Sequence, residues 1–403
     1  MANENMNILI LLKTYPAIGG VEKVTTVLSS QFVQNGHNVI IVSGQCEKEI
    51  PEFKPDPRIK YLNLPEANFG SDLNSKFFVE ILALNNVDVI INQGLYWDVN
   101  VLLINTRYQI TISIVTVFHN SVDSFIQSII TAAKSDDLLT KIIKYSIWPF
   151  YLIYYRNKIK SNLKLIYNVS DLFVLLSQSF QNDVERLLGY RDNKLRFIPN
   201  GLPLVDIDID SVIENKRNQV LYVGRLVNSQ KKIERLIDIW AKLHIRFPEW
   251  SLVLVGTGID EDSFKMKCHT LGIQNVKFEG FQNDVSQYYR EADIVCLTSD
   301  FEGFGMVLIE GMQWGCIPIA YNSYSSLEDI IDQNVNGYTI PPFNEFAYMQ
   351  KLILLMENSD LRYTLAKEAR VKSRTFDSEK IYGHWNKLMD EAINLKFKYK
   401  KHD

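Results

Sequence analysis

Short apolar runs alternate along the chain with longer stretches in which apolar residues recur at helical spacing. The run at 7–12, "NILILL", precedes "VEKVTTVLSSQFVQNGH", where apolar residues recur at helical intervals from Val21 to Phe32, and the run "NVIIVS" follows. A run that is apolar at every position is typical of a buried parallel strand. The order strand, helix, strand therefore predicts a βαβ unit with Gly19 and Gly20 in its first turn.

This alternation continues and then restarts. Further apolar runs lie at 87–91, 112–118 and 172–176. After a polar, turn-rich stretch near residue 200, a second series begins with "QVLYVGRL" at 219 and continues through "WSLVLVGTG", "VKFEG" and "DIVCLTS". Strands that alternate with helices predict parallel sheets. We therefore expect an α/β fold with two doubly wound domains facing a central cleft, and ligands at the carboxyl ends of the strands.

The length of the chain agrees with two domains, because a single core rarely grows beyond about 250–300 residues. We place the N-terminal domain at 1–200 and the C-terminal domain at 201–376 of the 403 residues. The last segment, 377–403, contains the amphipathic run "EKIYGHWNKLMDEAINLKFKYK", which predicts a terminal helix.

Composition narrows the class of protein. The chain is 46% hydrophobic and 22% charged with a net charge of -4, as expected for a globular protein with no electrostatic reason to bind nucleic acid. Its four cysteines lack the paired spacing of a zinc site, so we expect reduced thiols of a cytoplasmic protein. The start "MANENMNILILLKTYP" has no basic region, and no apolar run reaches about 18 residues, so we expect neither a signal peptide nor a membrane span.

The stretch 299–320, "SDFEGFGMVLIEGMQWGCIPIA", contains the clearest candidate chemistry. It follows the run "DIVCLTS", so Glu302 and two glycines after it lie where a strand ends and a helix begins. The free amides of that helix N-terminus suit a phosphate; they belong to Phe304, Gly305, Met306 and Val307. Glu310, further along the helix, suits the two neighbouring hydroxyls of a ribose. The alternative, that both glutamates are solvated or stabilise the helix dipole, is equally open from the residues alone.

A second candidate anion site lies in "YVGRL" at 222–226. Arg225 follows a strand and a glycine turn, and Lys231 or Lys232 begins the next helix. Two cations there would neutralise a diphosphate without a metal ion, whereas solvated surface cations are the equally open alternative. The turn "LVGTG", which contains Gly256, is a weak nucleotide signal because the third glycine of the dinucleotide-binding spacing is missing.

Two features of the chain allow more than one interpretation. His119 ends a very apolar strand, so its imidazole either reaches the ligand edge or is an ordinary strand-end histidine. The run "DIDID" at 206–210 has a spacing that can hold Mn²⁺ or Mg²⁺, but it lies in the inter-domain stretch, and we expect no metal there.

The segment 141–164 mixes aromatic residues, among them Trp148 and Tyr151, with lysines and an arginine. Its uncharged part, 145–155, is too short to span a bilayer. Aromatic residues flanked by basic ones suit a membrane interface, which we favour over an ordinary buried helix whose charged ends reach water.

Taken together, these motifs resemble the large family 4 of the glycosyltransferases. The matching pieces are "PAIGGVEKV", "FIPNGL", "YVGRL" with its trailing lysine, "LVLVGTG" and the stretch at 299–320, which contains the family's two glutamates eight positions apart. They occur in order from residue 8 to beyond 340. The resemblance implies the GT-B fold of two Rossmann-like domains, with the C-terminal helix returning to the N-terminal domain.

The resemblance also implies a function. It implies a retaining transfer of a sugar from a nucleotide-diphosphate sugar, with UDP the expected nucleotide, to a glycan or lipid-linked oligosaccharide acceptor in surface-polysaccharide biosynthesis. No metal and no other cofactor are expected. The N-terminal domain would take the acceptor and the C-terminal domain the donor. From its own aromatic and basic residues, the segment 141–164 is expected to contact the inner face of the cell membrane.

Roles for individual residues follow by position in the family's motifs. Glu302 would contact the donor sugar, Arg225 and Lys231 would stabilise the departing diphosphate, and His119 would lie beside the sugar's 6-position. These four are the expected catalytic residues. The residues expected to bind substrate are Gly19, Gly20, Asn200, Gly256, Phe304, Gly305, Met306, Val307 and Glu310.

The chain departs from the family's pattern at one point. One extra residue precedes the lysine pair, so Lys231 or Lys232 could serve the phosphate, and we prefer Lys231.

Two other functions need features that the sequence lacks. A nucleotide-sugar epimerase or phosphorylase of the same fold would need acid/base carboxylates or a cofactor lysine that is not evident. A dinucleotide-dependent oxidoreductase would need a G-x-G-x-x-G turn, which "YPAIGGVEK" lacks.

Overall fold

The computed structural model describes residues 5–17, 19–45, 56–94, 97–120 and 138–399. Inside the described helices, side chains are described except at 97, 138–149, 151–152 and 396–399. The chain divides into two compact units. The first comprises Met1–His119, Ile153–Pro203 and Asp377–Asp403, and the second comprises Asn120–Leu152 and Leu204–Phe376.

The first unit is built on a parallel sheet of seven described strands. The strands are β1 (Asn7–Thr14), β2 (Asn38–Gln45), β3 (Lys60–Asn63), β4 (Val89–Asn92), β5 (Ser113–Phe118), β6 (Leu172–Leu175) and β7 (Leu195–Phe197). Their order across the sheet is β3-β2-β1-β4-β5-β6-β7, with all neighbours parallel. The centre of β1 is fully buried, as a strand covered on both faces should be. The order reverses direction between β1 and β4, which defines a topological switch point.

Helices connect these strands. Their bounds are α1 (Gly20–Gln34), α2 (Asp72–Leu84), α3 (Trp97–Thr106), α4 (Leu138–Val169) and α5 (Gln181–Leu188). The first helix buries Val24, Leu28 and Phe32, which are the positions that its helical spacing predicts. The last turn of α5 ends at Gly189, whose φ of 85° is a left-handed conformation that glycine adopts without strain.

The second unit contains a parallel sheet of six described strands. They are β8 (Gln219–Val223), β9 (Ser251–Val255), β10 (Val276–Gly280), β11 (Ile294–Leu297), β12 (Ile317–Tyr321) and β13 (Tyr338–Ile340). The order is β10-β9-β8-β11-β12-β13, again with parallel neighbours. The switch point of this sheet lies between β8 and β11. Two doubly wound parallel sheets confirm the predicted α/β fold class.

Helices also connect the strands of the second unit. The described helices are α6 (Ile209–Glu214), α7 (Asn228–Lys231), α8 (Ile233–Leu243), α9 (Glu261–Thr270), α10 (Ser286–Glu291), α11 (Met306–Gln313), α12 (Leu327–Ile330), α13 (Glu345–Glu357) and α14 (Ser359–Ser373). Two of them, α7 and α11, follow the strands at its switch point. In α8 the apolar residues Leu236, Ile237 and Trp240 are fully buried, so the apolar face of this helix belongs to the core of the unit.

The C-terminal helix α15 (Ser378–Tyr399) packs on the first unit, as expected. Trp385 meets Phe32 of α1 edge to face, with ring centroids 6.3 Å apart. The hydroxyl of Ser113, at the start of β5, donates to the carbonyl oxygen of Ala392 at 2.5 Å. The chain therefore returns to its first sheet after completing the second unit.

Candidate active site

The switch point of the second sheet brings two loops together. Because β8 and β11 are hydrogen-bonded neighbours, the loop after β8 and the loop after β11 start side by side. The first loop contains Arg225 and leads through α7 to Lys231, and the second contains Glu302 and leads into α11. Arg225, Lys231 and Glu302, three of the residues expected to serve a nucleotide-diphosphate donor, thus lie at one edge of one sheet.

Glycines let the loops after β8 and β9 pack directly on each other. Gly224 has φ 148° and Gly256 has φ 127°. A Cβ atom on Gly256 would overlap the carbonyl oxygen of Gly224, so no larger residue fits. The amide of Leu226 donates to the carbonyl oxygen of Thr257 at 2.8 Å, which closes the contact. In this structure Gly256 therefore shapes the loop that presents Arg225.

Arg225 is held through its backbone and leaves its guanidinium at the surface. The buried hydroxyl of Tyr222 donates to the Arg225 carbonyl oxygen at 2.9 Å. Burial, and after it the charge of Glu302, raises the pKa of Tyr222, so that this hydroxyl remains a donor. The guanidinium itself is exposed and donates to the Gln230 side-chain oxygen at 3.3 Å. A cation in this position can reach an incoming anion.

Lys231 and Glu302 form the central ion pair of the site. The Lys231 ammonium donates to both carboxylate oxygens of Glu302, at 2.6 Å and 2.9 Å. The hydroxyl of Ser299 donates to the first of these oxygens at 2.5 Å. Both charged side chains are largely buried, with exposed fractions of 17% for lysine and 9% for glutamate. Exclusion of water strengthens the attraction between the two charges, and loss of either partner would leave the other as a largely buried, uncompensated charge.

The two consecutive lysines have different partners. Lys232 lies between α7 and α8 with a left-handed backbone, φ 51° and ψ 41°. Its ammonium lies 3.6 Å from Asp300, and Arg235 lies 2.6 Å from the same carboxylate. The helix break therefore directs Lys231 to Glu302 and Lys232 to Asp300, and which lysine serves a phosphate stays a prediction.

The turn after β11 ends at a helix N-terminus. Gly305 caps α11 with φ 88° and ψ 39°, a conformation that favours glycine. Phe304 is buried and meets the ring of Phe376 edge to face at 5.8 Å, which anchors the turn. Met306 and Val307 begin the helix and are half-buried. The first amides of this eight-residue helix precede its hydrogen-bond ladder and can bind an anion.

Glu310 is the fifth residue of α11 and has a buried partner on α10. The hydroxyl of Tyr289 donates to Oε2 of Glu310 at 3.0 Å. Burial, followed by the charge of Glu310, raises the pKa of Tyr289, which keeps the phenol protonated. The tyrosine thus fixes the direction of a half-buried carboxylate.

In the first unit, His119 and Asn200 share one small recess. His119 follows β5, and its Nε2 donates to Oε1 of Gln93, which follows β4, at 2.5 Å. Burial lowers the pKa of His119 from 6.5 to about 4, so the imidazole is neutral near pH 7. The recess is lined by Val24, Val27, Leu28, Gln31, Gln93, Val117, His119, Leu176, Ile198, Pro199, Asn200, Gly201, Ser378, Ile381 and Trp385. Its polar lining consists of amides, one imidazole and one hydroxyl.

Gly19 and Gly20 lie outside the lining of this recess. They are exposed at the start of α1, directly after the loop that follows β1. Their place at the first sheet's switch point agrees with the expectation from the βαβ pattern, and their role remains a prediction.

Sequence reasoning missed two partners of the expected residues. Gln93 directly follows the strand residues "VIIN", so a polar residue at the end of an apolar run was an available signal. Tyr289 gave no such signal, because a tyrosine in "SQYYRE" is ordinary for a helix and only the fold places it beside Glu310.

Two of the three aspartates at 206–210 have structural partners. Asp208 caps α6 by accepting from the amide of Asp210 at 3.2 Å, and Asp210 pairs with Lys367 at 3.0 Å. Within the described residues, no group of three or more His, Cys, Asp or Glu side chains could hold a metal ion. Of the cysteines, Cys268, Cys296 and Cys316 are buried free thiols, and Cys46 lies outside the described residues.

The segment 141–164 lies within the long helix α4. The side chains of Trp148 and Tyr151 lie outside the described ones. Phe150, Ile153 and Tyr154 are exposed, by 73%, 58% and 61%. Among the described residues, no helix is both long and apolar enough for a bilayer crossing.

Two sequence profiles match adjacent parts of the chain. The profile of "Glycosyltransferase Family 4" matches residues 18–205, and that of "Glycosyl transferases group 1" matches residues 206–372. Together they cover 18–372 without a gap.

Curated relatives match at about 30% identity. An "Uncharacterized glycosyltransferase" of Haemophilus influenzae is 30% identical over 201 residues, 50% of this chain and 56% of that protein. "Amylovoran biosynthesis glycosyltransferase AmsD" of Erwinia amylovora is 30% identical, over 45% of this chain and 50% of that protein. A Campylobacter jejuni protein, "GalNAc-alpha-(1->4)-GalNAc-alpha-(1->3)-diNAcBac-PP-undecaprenol alpha-1,4-N-acetyl-D-galactosaminyltransferase", is 31% identical, over 47% and 52%. The chain spans about half the length of these curated relatives.

Solved structures resemble the chain over nearly its whole length. Anabaena HepE in complex with UDP superposes with a TM-score of 0.70 at 19% identity, covering 96% of this chain and 100% of that one. Sucrose-phosphate synthase from Thermosynechococcus elongatus superposes with a TM-score of 0.74 at 19% identity, covering 97% and 100%. At such identities the likeness shows the fold, which is that of GT-B glycosyltransferases.

Proposed function

Because the chain belongs to glycosyltransferase family 4, we propose that it transfers a sugar from a UDP-sugar to a hydroxyl of a glycan or lipid-linked oligosaccharide. The observation that carries this proposal is the Lys231–Glu302 pair beside the N-terminus of α11, at the switch point of the second sheet. A diphosphate needs cations and amide donors, a sugar needs a carboxylate acceptor, and this edge offers all of them.

The leaving group of the reaction is the nucleoside diphosphate. As its bond to the sugar breaks, negative charge grows on the phosphate oxygen, and fixed positive groups then stabilise the transition state more than the ground state. Arg225 and Lys231 supply two cations, and the amides from Phe304 to Val307 supply a helix N-terminus. We propose that these groups replace a metal ion, and that the transfer retains the configuration of the sugar.

Each carboxylate has a separate task in this proposal. Glu302 accepts hydroxyls of the donor sugar, and Ser299 keeps its carboxylate in place through the bond to Oε1. Glu310 accepts the two ribose hydroxyls, and the bond from Tyr289 directs it. For Lys231 to meet the diphosphate, its ammonium must exchange at least part of its contact with Glu302 for phosphate oxygens.

The first unit supplies neutral contacts. We assign His119 to the 6-position of the donor sugar and Asn200 to substrate binding, since both face a recess with an uncharged polar lining. Gly19 and Gly20, exposed at the start of α1, are assigned to the diphosphate or sugar. An imidazole that stays neutral near pH 7 can accept or donate a hydrogen bond to a hydroxyl without adding charge.

The acceptor class and the place of action rest on other observations. Relatives are named for amylovoran biosynthesis and for transfer to a PP-undecaprenol-linked acceptor, which supports a role in surface-polysaccharide assembly. We propose that the protein acts at the cytoplasmic face of the membrane. On α4, exposed Phe150, Ile153 and Tyr154 lie three and four positions apart on one helix face, and exposed Arg156 and Lys158 follow. We propose that this face contacts anionic lipid head groups.

A panel of nucleotide sugars tests the function. Each compound is added to the wild-type protein, and both the unfolding temperature and the slow release of nucleotide are measured. We expect a UDP-sugar to raise the unfolding temperature and to be hydrolysed slowly without acceptor. A folded protein that neither binds nor hydrolyses any nucleotide sugar would refute the proposal.

A further inference from the structure

The segment after β12, residues 322–326, lies directly beneath the turn that carries Glu302. The hydroxyl of Ser323 donates to the carbonyl oxygen of Ser299 at 2.7 Å. The hydroxyl of Ser326 donates to the carbonyl oxygen of Gly303 at 3.2 Å. The two serines therefore hold the turn on both sides of Glu302, and Tyr324 lies between them in the chain.

Tyr324 has a buried hydroxyl that bonds to nothing among the described residues. The residue is only 6% exposed. Its hydroxyl oxygen lies 2.7 Å from the position that a Cβ atom on Gly305 would occupy, so it points at the turn between Glu302 and α11. A buried polar group without a partner weakens a protein, and native structures contain few of them. The Tyr324 hydroxyl lies beside the proposed nucleotide-sugar site, which suggests that it forms a hydrogen bond when the nucleotide sugar binds.

Glu302 would need another hydrogen-bond donor when the nucleotide diphosphate binds. Within the described chain, its Oε2 accepts only from Lys231, whereas Oε1 also accepts from Ser299. When Lys231 turns to the diphosphate of UDP, Oε2 loses its protein donor in a site that excludes most water, and UDP alone brings no sugar hydroxyl to replace it. Burial, followed by the charge of Glu302, raises the pKa of Tyr324, so the phenol stays protonated and able to donate.

We infer that Tyr324 is a positioning residue for Glu302. Its hydroxyl donates to the Glu302 carboxylate when Lys231 moves to the diphosphate, and so holds that carboxylate for the donor sugar. The inference rests on the proposed function for the exchange by Lys231. It goes further in assigning a role to a tyrosine that no motif of the sequence marks.

The experiment compares two tyrosines whose hydroxyls are both buried and unpartnered among the described residues. Tyr321 lies at the end of β12 against Tyr348 and Phe343, and it serves as the matched control. Tyr324→Phe and Tyr321→Phe both keep the ring and remove an unsatisfied hydroxyl. We expect both variants to unfold at the wild-type temperature or above it in the absence of ligand.

The two variants should differ once UDP is added. By calorimetry, Tyr324→Phe should bind UDP about tenfold more weakly, because a hydrogen bond to a charged group is lost in the complex. Tyr321→Phe should bind UDP within about twofold of wild type. Equal UDP affinity of wild type and Tyr324→Phe would overturn the inference, whereas a folded wild type that binds no UDP would overturn the proposed function instead.

A second measurement needs no ligand. In a Lys231→Met background the ammonium is absent, so the Tyr324 hydroxyl should already bond to Glu302 in the free protein. Tyr324→Phe should then lower the unfolding temperature, although it leaves or raises that temperature in the wild-type background. The same response in both backgrounds would also overturn the inference, since a tyrosine that only fills space would not change sign.

Discussion

The carboxyl edges of the two sheets have the same strand topology, but the side chains at one edge are charged and those at the other are uncharged. At the switch point of the second sheet, Lys231 pairs with Glu302, and Lys232 and Arg235 share Asp300. At the corresponding end of the first sheet, the recess is lined by amides, a hydroxyl and a neutral imidazole among apolar residues. The fold places both sites, but the side chains decide that one suits an anion and the other an uncharged ligand.

The difference also shows in how the polar groups are satisfied. In the second unit, Lys231 is paired with Glu302 and Arg235 with Asp300, so a ligand of these groups must exchange partners with them. In the first unit, Gln93 binds His119 through Oε1, while its buried Nε2 has no partner among the described residues. A diphosphate therefore competes for an existing ion pair, whereas a hydroxyl meets groups that have spare hydrogen-bonding capacity.

The largest effect should come from removing the cation that meets Glu302. Lys231→Ala should lower kcat/KM by about 10² to 10³-fold, because a cation at the departing diphosphate is lost. Lys232→Ala, the matched control, removes a partner of Asp300, and Arg235 still pairs with that carboxylate. Its kcat/KM in a UDP-sugar transfer or hydrolysis assay should fall by no more than about tenfold. If the two variants lose equal activity, the different carboxylate partners of the two lysines have no consequence for function.

Glu310 should affect binding of the nucleoside part of the donor. Glu310→Ala should weaken UDP binding by about 10 to 100-fold, since two ribose hydroxyls lose a charged acceptor. Tyr289→Phe leaves the carboxylate but removes the bond that directs it, so a loss of about threefold to tenfold is expected. Calorimetry with UDP measures both constants. Unchanged affinity in Glu310→Ala would exclude the ribose role.

His119 should make the stability of the protein depend on pH. Its pKa is lowered from 6.5 to about 4 in the folded state, so the unfolded chain binds the proton more readily between these values. This contribution to stability is therefore fully present above pH 6.5 and is lost as the pH falls toward 4. It amounts to about 3 kcal/mol for a full shift of this size.

The measurement is urea unfolding of wild type and His119→Asn between pH 4.5 and 7.5. Subtracting the two curves removes the contribution of carboxylates and other histidines. We expect the wild-type stability to fall more steeply with decreasing pH than that of the variant. Parallel curves would show that the imidazole of the first unit is not held neutral by burial.

Prediction from the sequence succeeded where a pattern covers a whole element. Apolar runs located β1, β2, β8 and β9, and the restart near 219 indicated a second sheet. The rule that ligands lie at the carboxyl ends of parallel strands then placed Glu302 and Arg225 at one edge. Short strands such as β7 and β13, with three residues each, were missed because so few residues carry no measurable period.

Partners within the site could not be predicted from the sequence in the same way. Lys231 and Glu302 are 71 positions apart, and only the hydrogen bonding of β8 to β11 brings them together. Tyr324 and Gln93 are common residue types whose importance depends on which direction the fold gives their side chains. The family resemblance supplied roles for positions in the family's motifs, but it could not supply these neighbours.

The smallest expected effect concerns the exposed face of α4. Replacing Phe150 and Tyr154 together with serine should lower binding to vesicles that contain anionic lipid by about threefold to tenfold. The control is Tyr108→Ser, which removes a fully exposed tyrosine, 99% accessible, that does not belong to this helix. Co-sedimentation with vesicles measures the binding. Equal binding by both variants and wild type would remove the membrane contact from the proposal.

The contrast between a charged and a neutral sheet edge is tested most directly by titrating UDP into the protein in the presence of EDTA. Heat of binding should be observed without any metal, and Lys231→Ala should weaken this binding at least tenfold, because the ammonium meets the diphosphate. Uridine, which lacks the phosphates, should bind weakly and equally to both proteins. UDP binding that is absent in EDTA and restored by Mn²⁺, or that is unchanged in Lys231→Ala, would contradict a metal-independent diphosphate site at the edge of the second sheet.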